Sequence, residues 1–270
     1  MLPSKTYKIK NLNLDIIRPS FSTMDNVALG GSKIVVIGKP SSGKSFLIRD
    51  LIYRKSDIFP TCMVMNGTEA YTHAYEQAGI PSCFIYNTLN KERLESFMER
   101  QKLAREHLTN PWSLLVIDDC MEDPKLWNDP VFGALVKNGR QMAMTMIIGL
   151  QYCMDIKPTI RSNFDGCFIF REPSLQTRKK LYDTFASIIP DFSDFCALMD
   201  TMTNDHTALY INNSEASSND LEDCVFWYKA KPIPKDFKFG CKEIWSFNEE
   251  RLKEELLMGG KGNGNEDDDM

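Results

Sequence analysis

The sequence predicts an α/β fold in which a mainly parallel sheet carries helices on both faces. Six short apolar runs rich in strand-forming residues alternate with segments of helical periodicity, an order that is typical of parallel sheets. Two further β-rich segments near the C-terminus predict antiparallel strands added to that sheet. With 270 residues, of which 43% are hydrophobic, the chain can bury one large core.

The apolar runs and the helical patterns between them give the predicted elements in chain order. The predicted strands span residues 33–37, 61–65, 83–86, 114–117, 145–150 and 166–170. The predicted helices span residues 44–53, 69–78, 91–108, 130–142, 175–187 and 192–202. The last two are separate helices because Pro190 disfavours a helical conformation in the residue before it. The late antiparallel strands are predicted at 206–211 and 224–228.

Composition limits the classes of protein to which the chain can belong. We expect a single domain over residues 1–258, with its core at about 30–212, and a disordered acidic tail over 259–270, which has almost no apolar residues. The net charge of -5 argues against a surface that coats nucleic acid throughout, although a local basic lining could still contact DNA. Eight cysteines without a Cys-x-x-Cys pair predict core thiols in a reducing compartment rather than a zinc site. We expect a soluble intracellular protein without a membrane span.

A glycine-rich loop joins the first predicted strand to the first predicted helix. It has the spacing of a phosphate-binding P-loop, in which glycines and small residues let backbone N–H donors approach phosphates at the positive end of a helix. The predicted nucleotide ligands are Gly38, Lys39, Pro40, Ser41, Ser42, Gly43, Lys44 and Ser45. Lys44 would reach the β- and γ-phosphates of ATP, and Ser45 would be a ligand of Mg²⁺.

Two carboxylates follow the fourth predicted strand. A buried strand that ends in Asp118 and Asp119 would deliver acidic groups to the carboxyl edge of the sheet, beside the P-loop. Asp118 would hold magnesium directly or through water, and Asp119 would orient or deprotonate the water that attacks the γ-phosphate. Alone, such a pair also fits a turn or a helix cap. Together with the P-loop, it favours ATP hydrolysis over phosphate binding alone.

The fifth predicted strand ends on an amide. Gln151 is the polar side chain at that strand end, where an amide can hydrogen-bond both the γ-phosphate and the attacking water. Without the other motifs, a glutamine that closes a strand at the surface is the more ordinary interpretation. The catalytic hypothesis for Gln151 therefore depends on the P-loop and on the two carboxylates.

Two arginines are candidates for a residue that one subunit presents to the γ-phosphate of its neighbour. Such an arginine stabilises the charge of the transition state. Arg140 precedes the strand that ends near Gln151, and Arg161 follows that strand. Position alone does not distinguish this role from that of an ordinary surface or ion-paired arginine. Arg140 is the first candidate and Arg161 is the second.

Taken together, these motifs resemble the DNA-packaging ATPases of poxviruses and other nucleocytoplasmic large DNA viruses, within the group of ring translocases that includes bacterial chromosome-pumping motors. The resemblance spans roughly residues 34–170. It rests on the P-loop, the strand that ends in Asp118-Asp119, the Gly139-Arg140 element, Gln151 and the run Ile160-Arg161-Ser162-Asn163. The chain departs from the pattern at Gln141, where that family usually has histidine.

The resemblance implies a P-loop NTPase fold and an ATP-hydrolysing motor that threads double-stranded viral DNA into a preformed capsid. It further implies ATP and Mg²⁺ at the site, a homo-oligomeric ring of five or six subunits, and a viral capsid or portal protein as a partner. The implied location is the virus factory in the host cytoplasm, with the virion as a second location. Two other hypotheses stay open: a P-loop small-molecule kinase or nucleotide switch, and a structural assembly protein that binds nucleotide without turnover.

Overall fold

The computed structural model describes residues 7–120, 124–214 and 220–259 of the chain. The predicted acidic tail lies outside these residues, apart from Gly259, which ends the last helix. Among the described residues, no helix combines the length and the apolar character that a bilayer crossing requires.

One mixed sheet of nine described strands organises the molecule. The strands are β1 (Lys10–Asn11), β2 (Lys33–Ile37), β3 (Thr61–Asn66), β4 (Ile85–Tyr86), β5 (Ser113–Asp118), β6 (Met144–Leu150), β7 (Gly166–Ile169), β8 (Thr207–Asn212) and β9 (Val225–Lys229). Their spatial order is β1-β9-β8-β7-β2-β6-β5-β3-β4. β8 runs antiparallel to both of its neighbours, and every other pair is parallel. The predicted fold class is therefore confirmed, including the antiparallel strands in the C-terminal part.

Helices cover both faces of this sheet. They are α1 (Lys44–Lys55), α2 (Glu69–Thr72), α3 (Lys91–His107), α4 (Pro124–Trp127), α5 (Pro130–Asn138), α6 (Pro158–Arg161), α7 (Leu175–Phe185), α8 (Phe192–Met202), α9 (Leu221–Cys224) and α10 (Lys242–Gly259). Short 3-10 helices occupy Leu14–Ile16, Val27–Leu29, Ser82–Phe84 and Gly139–Met142. The two faces are buried in two hydrophobic clusters.

Strand β2 shows why the predicted strands are apolar along their whole length. Successive side chains of a strand point to opposite faces. Val35 and Ile37 pack in one cluster, and Ile34 and Val36 pack in the other. Each of these residues is at most 4% exposed. A strand that is covered on both faces therefore needs a continuous apolar run rather than an alternating pattern.

Three predicted elements show the clearest differences in extent from the structure, while most others shift by one or two residues at an end. The helix predicted over 69–78 ends at Thr72, because His73 adopts a left-handed conformation with φ of +48°. In the segment predicted as strand 83–86, only Ile85 and Tyr86 pair with β3, since a 3-10 turn comes first. The helix predicted over 130–142 ends at Asn138 and continues as a 3-10 turn. Strand β1 and helices α4, α6, α9 and α10 are not among the predicted elements.

A buried hydrogen bond ties the antiparallel part of the sheet to helix α1. The hydroxyl of Tyr228 on β9 donates to Oδ2 of Asp50 at 2.5 Å, and Nε of Arg54 donates to Oδ1 at 3.2 Å. Asp50 is fully buried, and Tyr228 is 8% exposed. Burial, together with the hydrogen bond to Asp50, raises the pKa of Tyr228, so the phenol remains a proton donor. This contact fixes α1 against a strand that is distant in sequence.

We expect Tyr228→Phe to lower the free energy of unfolding by about 1.5–3 kcal/mol, because the carboxylate of Asp50 then loses a hydrogen bond in a buried position. Urea denaturation followed by circular dichroism measures this change. Tyr71→Phe is the matched control, since Tyr71 is 88% exposed and should change stability by less than about 0.5 kcal/mol. Equal stabilities of the Tyr228→Phe variant and the wild type would contradict a stabilising role for this bond.

Candidate nucleotide-binding site

Most of the predicted site residues, but not the two candidate arginines, meet at the carboxyl edge of the parallel part of the sheet. The P-loop follows β2, Asp118 ends β5, and Gln151 follows β6. Because these three strands run parallel, their carboxyl ends lie at the same edge. In the sheet, β6 lies between β2 and β5. The structure therefore brings the P-loop, the two carboxylates and the amide together.

The P-loop has the backbone conformation of a turn that leads into a helix N-terminus. Ser41 and Gly43 both have positive φ, +64° and +103°. At +103° an L side chain would be strained, so position 43 favours glycine. Leu47 N–H donates to the carbonyl of Gly43, which is the first helical bond beyond the loop. The Nδ1 atom of His206, the residue just before β8, lies 2.9 Å from the carbonyl oxygen of Ser42, so this histidine contacts the P-loop from a different part of the chain.

Lys44 forms the centre of an ion-paired cluster. Its Nζ atom lies 3.0 Å from Oδ1 of Asp118 and 3.0 Å from Oδ1 of Asp119, and its side chain is only 5% exposed. Burial by itself lowers the pKa of Lys44, but attraction to the two carboxylates outweighs burial and leaves the pKa above its ordinary value. Lys44 is therefore a cation at neutral pH.

Asp118 is buried and makes contacts through both carboxylate oxygens. Oδ1 accepts from Lys44, while Oδ2 accepts from Ser45 Oγ at 2.6 Å and from the Tyr75 hydroxyl at 2.9 Å. Its side chain reaches α1 across the intervening strand β6, where its partner in the register is Gly149. A Cβ atom at position 149 would lie 2.0 Å from Oδ1 of Asp118. Glycine at that position therefore makes room for the carboxylate.

Asp119 lies just beyond the strand, in a different environment. Its backbone has a φ of +50°, and its side chain is 23% exposed, compared with 1% for Asp118. Oδ1 accepts from Lys44 and also from Nε2 of Gln151 at 3.2 Å. Gln151 itself is exposed. The second carboxylate and the amide thus form a pair that solvent can reach.

Ser45 and Asp118 have the oxygen atoms that a magnesium ion requires. Mg²⁺ prefers oxygen ligands and is commonly bound by few protein groups together with substrate phosphates. The hydroxyl of Ser45 and Oδ2 of Asp118 lie 2.6 Å apart beside the P-loop. The donor set therefore fits the ion, and these two residues are the ones that would hold it.

Lys39, also in the P-loop, has its partner outside the Lys44 cluster. Its Nζ atom pairs with Oε1 of Glu172 at 2.9 Å. Glu172 follows β7, and its carbonyl oxygen accepts from Nε of Arg178 at 2.5 Å. Because Lys39 is half-exposed while Glu172 is buried, this pair links the P-loop to the segment that leads into α7.

Arg140 lies at the opposite edge of the sheet from the P-loop. Its Nη2 atom donates to Oδ1 of Asp165 at 2.7 Å, and Oδ2 of Asp165 accepts from the backbone N–H of Lys33, the first residue of β2. The five residues of β2, at about 3.3 Å each, put about 13 Å between this edge and the P-loop. Arg140 therefore does not reach the phosphate site of its own subunit, and its action on a neighbouring subunit stays a prediction.

Arg161 lies on α6, beyond the loop that follows Gln151. Its Nη1 atom donates to the carbonyl oxygen of Cys153 at 3.3 Å and contacts the sulfur of Met154 at 2.8 Å. The side chain is partly buried. These contacts attach Arg161 to the loop after β6 rather than to the P-loop, and its catalytic role also stays a prediction.

Sequence reasoning missed two residues that shape the site. Tyr75 contacts Asp118 from a segment 43 positions earlier in the chain, and no local pattern marks a single tyrosine as a partner of that carboxylate. Gly149 carried a usable signal, because an isolated glycine inside an apolar strand often marks a close approach of another group. That signal identifies the position but not the carboxylate that fills the space.

Three viral proteins align with most of the chain. Protein 088R of Invertebrate iridescent virus 3 is 48% identical over 255 residues, which cover 93% of this chain and 97% of that protein. Protein 075L of Invertebrate iridescent virus 6 is 41% identical over 256 residues, covering 94% and 98%. Protein 015R of Frog virus 3 is 38% identical over 252 residues, covering 92% and 77%. No family model matches the chain.

Solved structures of a viral packaging protein and of a conjugation coupling protein have a similar fold. The DNA-packaging ATPase B204 from Sulfolobus turreted icosahedral virus superposes with a TM-score of 0.51 at 14% identity, covering 75% of this chain and 98% of that chain. The pCW3 conjugation coupling protein TcpA with ATPγS gives a TM-score of 0.54 at 12% identity, covering 93% and 75%. These likenesses confirm the predicted fold, a mainly parallel sheet flanked by helices. The sequence relatives show that the chain belongs to a protein family of nucleocytoplasmic large DNA viruses. Its motifs are similar to those of the DNA-packaging ATPases of the same group of viruses.

Proposed function

We propose that this protein is a Mg²⁺-dependent ATPase that drives double-stranded viral DNA into a preformed capsid. One observation carries the ATPase part of the proposal: Lys44, the two carboxylates and Gln151 form a connected cluster directly at the P-loop. The packaging part is supported by the fold that the chain shares with a DNA-packaging ATPase and by its family of large DNA viruses.

Phosphate binding follows from the charge on Lys44. The buried ammonium group has two anionic partners, Asp118 and Asp119. The γ-phosphate of ATP offers anionic oxygens of the same kind, and the backbone N–H groups of the P-loop lie at the positive end of α1. Lys44 can therefore exchange carboxylate oxygens for phosphate oxygens and remain paired throughout.

Asp119 and Gln151 are the residues that would promote hydrolysis of the γ-phosphate. A carboxylate that solvent reaches can orient a water molecule and accept its proton as the water attacks the γ-phosphate. The amide of Gln151 already donates to Asp119, and it can also donate to the phosphate or accept from the water. Magnesium, held by Ser45 and Asp118, would neutralise charge on the phosphates.

The position of Arg140 supports a ring of subunits. The guanidinium group lies at the sheet edge opposite its own P-loop, and its side chain is 37% exposed. An arginine in that position can act on ATP only in a neighbouring subunit. We therefore propose a homo-oligomeric ring of five or six subunits, with Arg140 as the first candidate for the trans-acting arginine and Arg161 as the second.

The proposed partners are double-stranded DNA and a viral capsid or portal protein. Because the net charge of the chain is -5, DNA contact would be confined to a local lining rather than spread over the surface. The proposed location is the virus factory in the host cytoplasm, with the virion as a second location.

We expect the purified protein to hydrolyse ATP faster when double-stranded DNA is added, and Asp119→Asn to lower kcat by about 10²–10⁴-fold, because the variant cannot accept the proton of the attacking water. Phosphate release measured with and without DNA checks both expectations. Asp183→Asn is the matched control, since Asp183 forms an exposed pair with Lys179 on α7 and should leave kcat unchanged.

Three outcomes would contradict the packaging proposal. Hydrolysis that is indifferent to DNA in an assembled sample would argue against a DNA motor. Phosphoryl transfer to a small acceptor would select a kinase. Tight ATP binding without hydrolysis, with DNA present, would select a structural protein that only binds nucleotide.

The trans-acting arginine can be identified by mixing two inactive variants. We expect Arg140→Lys, which keeps a cation near Asp165 but loses the guanidinium fork, to regain part of its activity when it forms mixed oligomers with Asp119→Asn. In such oligomers an intact Asp119 in one subunit can meet an intact Arg140 from the other. ATPase activity of the mixture, compared with each variant alone, is the measurement.

The control for mixing is the pair Lys44→Ala and Asp119→Asn. Both changes damage the same half of the site, so their mixed oligomers contain no complete site and should stay inactive. If confirmed mixed oligomers of Arg140→Lys and Asp119→Asn regain no ATPase activity, Arg161 becomes the candidate for the trans-acting arginine. The same mixing experiment with Arg161→Lys then tests it.

A further inference from the structure

We infer that Tyr75 is a positioning residue that holds Asp118 in the orientation in which it binds magnesium. The inference rests on the proposed ATPase function and extends it to a residue outside the P-loop and the strand-end carboxylates. Tyr75 is fully buried, and its hydroxyl donates to Oδ2 of Asp118 at 2.9 Å. That oxygen also accepts from Ser45, the other residue that would hold the ion.

The aromatic ring of Tyr75 is held in place by the hydrophobic core. It packs in the cluster that includes Ile34 and Val36 of β2 and Leu47 of α1. A buried ring cannot follow a moving carboxylate, because cores are packed as densely as crystals. The hydroxyl therefore presents a donor at a defined position, and Asp118 aligns to it.

The backbone of Tyr75 is fixed by a buried carboxylate on α2. Glu69 is 5% exposed and accepts from the N–H of Tyr75 at 3.0 and 3.1 Å and from the N–H of Glu76 at 2.9 Å. It also accepts from Nδ2 of Asn66, the residue that pairs with Asp118 in the strand register. Through Glu69, the two backbone N–H groups of the turn after α2 are thus linked to the side chain of Asn66 at the end of β3.

Arg49 connects the same turn to the helix that begins at the P-loop. Its Nε atom donates to the carbonyl of Ser45 at 3.2 Å, and its Nη1 atom lies 3.5 Å from the carbonyl of Ala74. Ala74 directly precedes Tyr75. Tyr75 is therefore tied to both protein groups that would hold magnesium: to Asp118 by its hydroxyl and to Ser45 through Arg49.

A neutral donor suits this position better than a cation would. When Lys44 turns from Asp118 to the phosphates of ATP, the buried carboxylate loses its positive partner. A second lysine or arginine in place of Tyr75 would compensate that loss, but it would also repel Mg²⁺. The phenol keeps Oδ2 hydrogen-bonded without adding positive charge, so the carboxylate keeps its attraction for the ion.

The test is the Mg²⁺ dependence of ATPγS binding by Tyr75→Phe, a variant that keeps the ring and removes only the hydroxyl. We expect the Mg²⁺ concentration at half-maximal enhancement of affinity to rise by about tenfold or more, the size of effect seen when a group that orients a metal ligand is removed. Affinity for ATPγS without Mg²⁺ should stay within about twofold of the wild type. Calorimetric titration over a series of Mg²⁺ concentrations measures both.

Tyr228→Phe is the matched control, because it removes the same kind of bond, from a buried phenol to the buried carboxylate of Asp50, away from the P-loop. It should lower stability without moving the Mg²⁺ midpoint. Glu69→Gln is a second test variant, which leaves the Tyr75 side chain intact but weakens the anchoring of its backbone. It should move the midpoint in the same direction as Tyr75→Phe, and it decides the question if Tyr75→Phe does not fold.

The outcomes separate the inference from the proposed function. Folded Tyr75→Phe with a wild-type Mg²⁺ midpoint would overturn the inference and leave the ATPase proposal standing. A shift in Tyr75→Phe that Tyr228→Phe reproduces would also overturn it, because the effect would then report a general loss of stability. Wild-type protein that binds ATPγS equally well with and without Mg²⁺ would overturn both.

Discussion

The pairing of one buried lysine with two carboxylates is the interaction on which the rest of the site depends. An uncompensated charge in a protein interior costs several kcal/mol, so neither Lys44 nor Asp118 could be buried alone. Their contact joins the start of α1 to the end of β5. The strand that leads to α1 is β2, and β6 separates β2 from β5 in the sheet. Because Asp119 shares the same ammonium group, the cluster remains anionic by one charge, which leaves a net attraction for a metal ion.

The order of the strands explains how the remaining groups reach this cluster. Strand β6 separates the P-loop strand from β5, and it contributes in two ways. Gly149 leaves space for the carboxylate of Asp118 to approach α1, and Gln151, two residues later, donates to Asp119. On the other side of β5, strand β3 is followed by α2 and by the turn that contains Tyr75. Each neighbour of β5 is thus followed by a residue that hydrogen-bonds one of the two carboxylates: Gln151 donates to Asp119, and Tyr75 donates to Asp118.

Much of the site could be predicted because its motifs are contiguous in sequence and lie at the ends of parallel strands. Gly38–Ser45 and the Asp118-Asp119 pair each show their chemistry within a few residues, and parallel strands bring their carboxyl ends together. Tyr75 could not be predicted, since its contact depends on the turn that His73 makes when it ends α2 early. The position of Arg140 at the opposite edge follows from its ion pair with Asp165, a contact between residues that no short pattern connects.

The most direct test of this account is calorimetric binding of ATPγS, with Mg²⁺ present, to wild type and to Lys44→Met. If Lys44 exchanges its carboxylate partners for phosphate oxygens, Lys44→Met should bind at least about 30-fold more weakly, which corresponds to about 2 kcal/mol. Circular dichroism establishes that the variant is folded, and Lys179→Met, a change at an exposed lysine, should bind like the wild type. Equal affinities of folded Lys44→Met and wild type would contradict the account, because the buried lysine would then be a structural ion-pair partner and no ligand of phosphate.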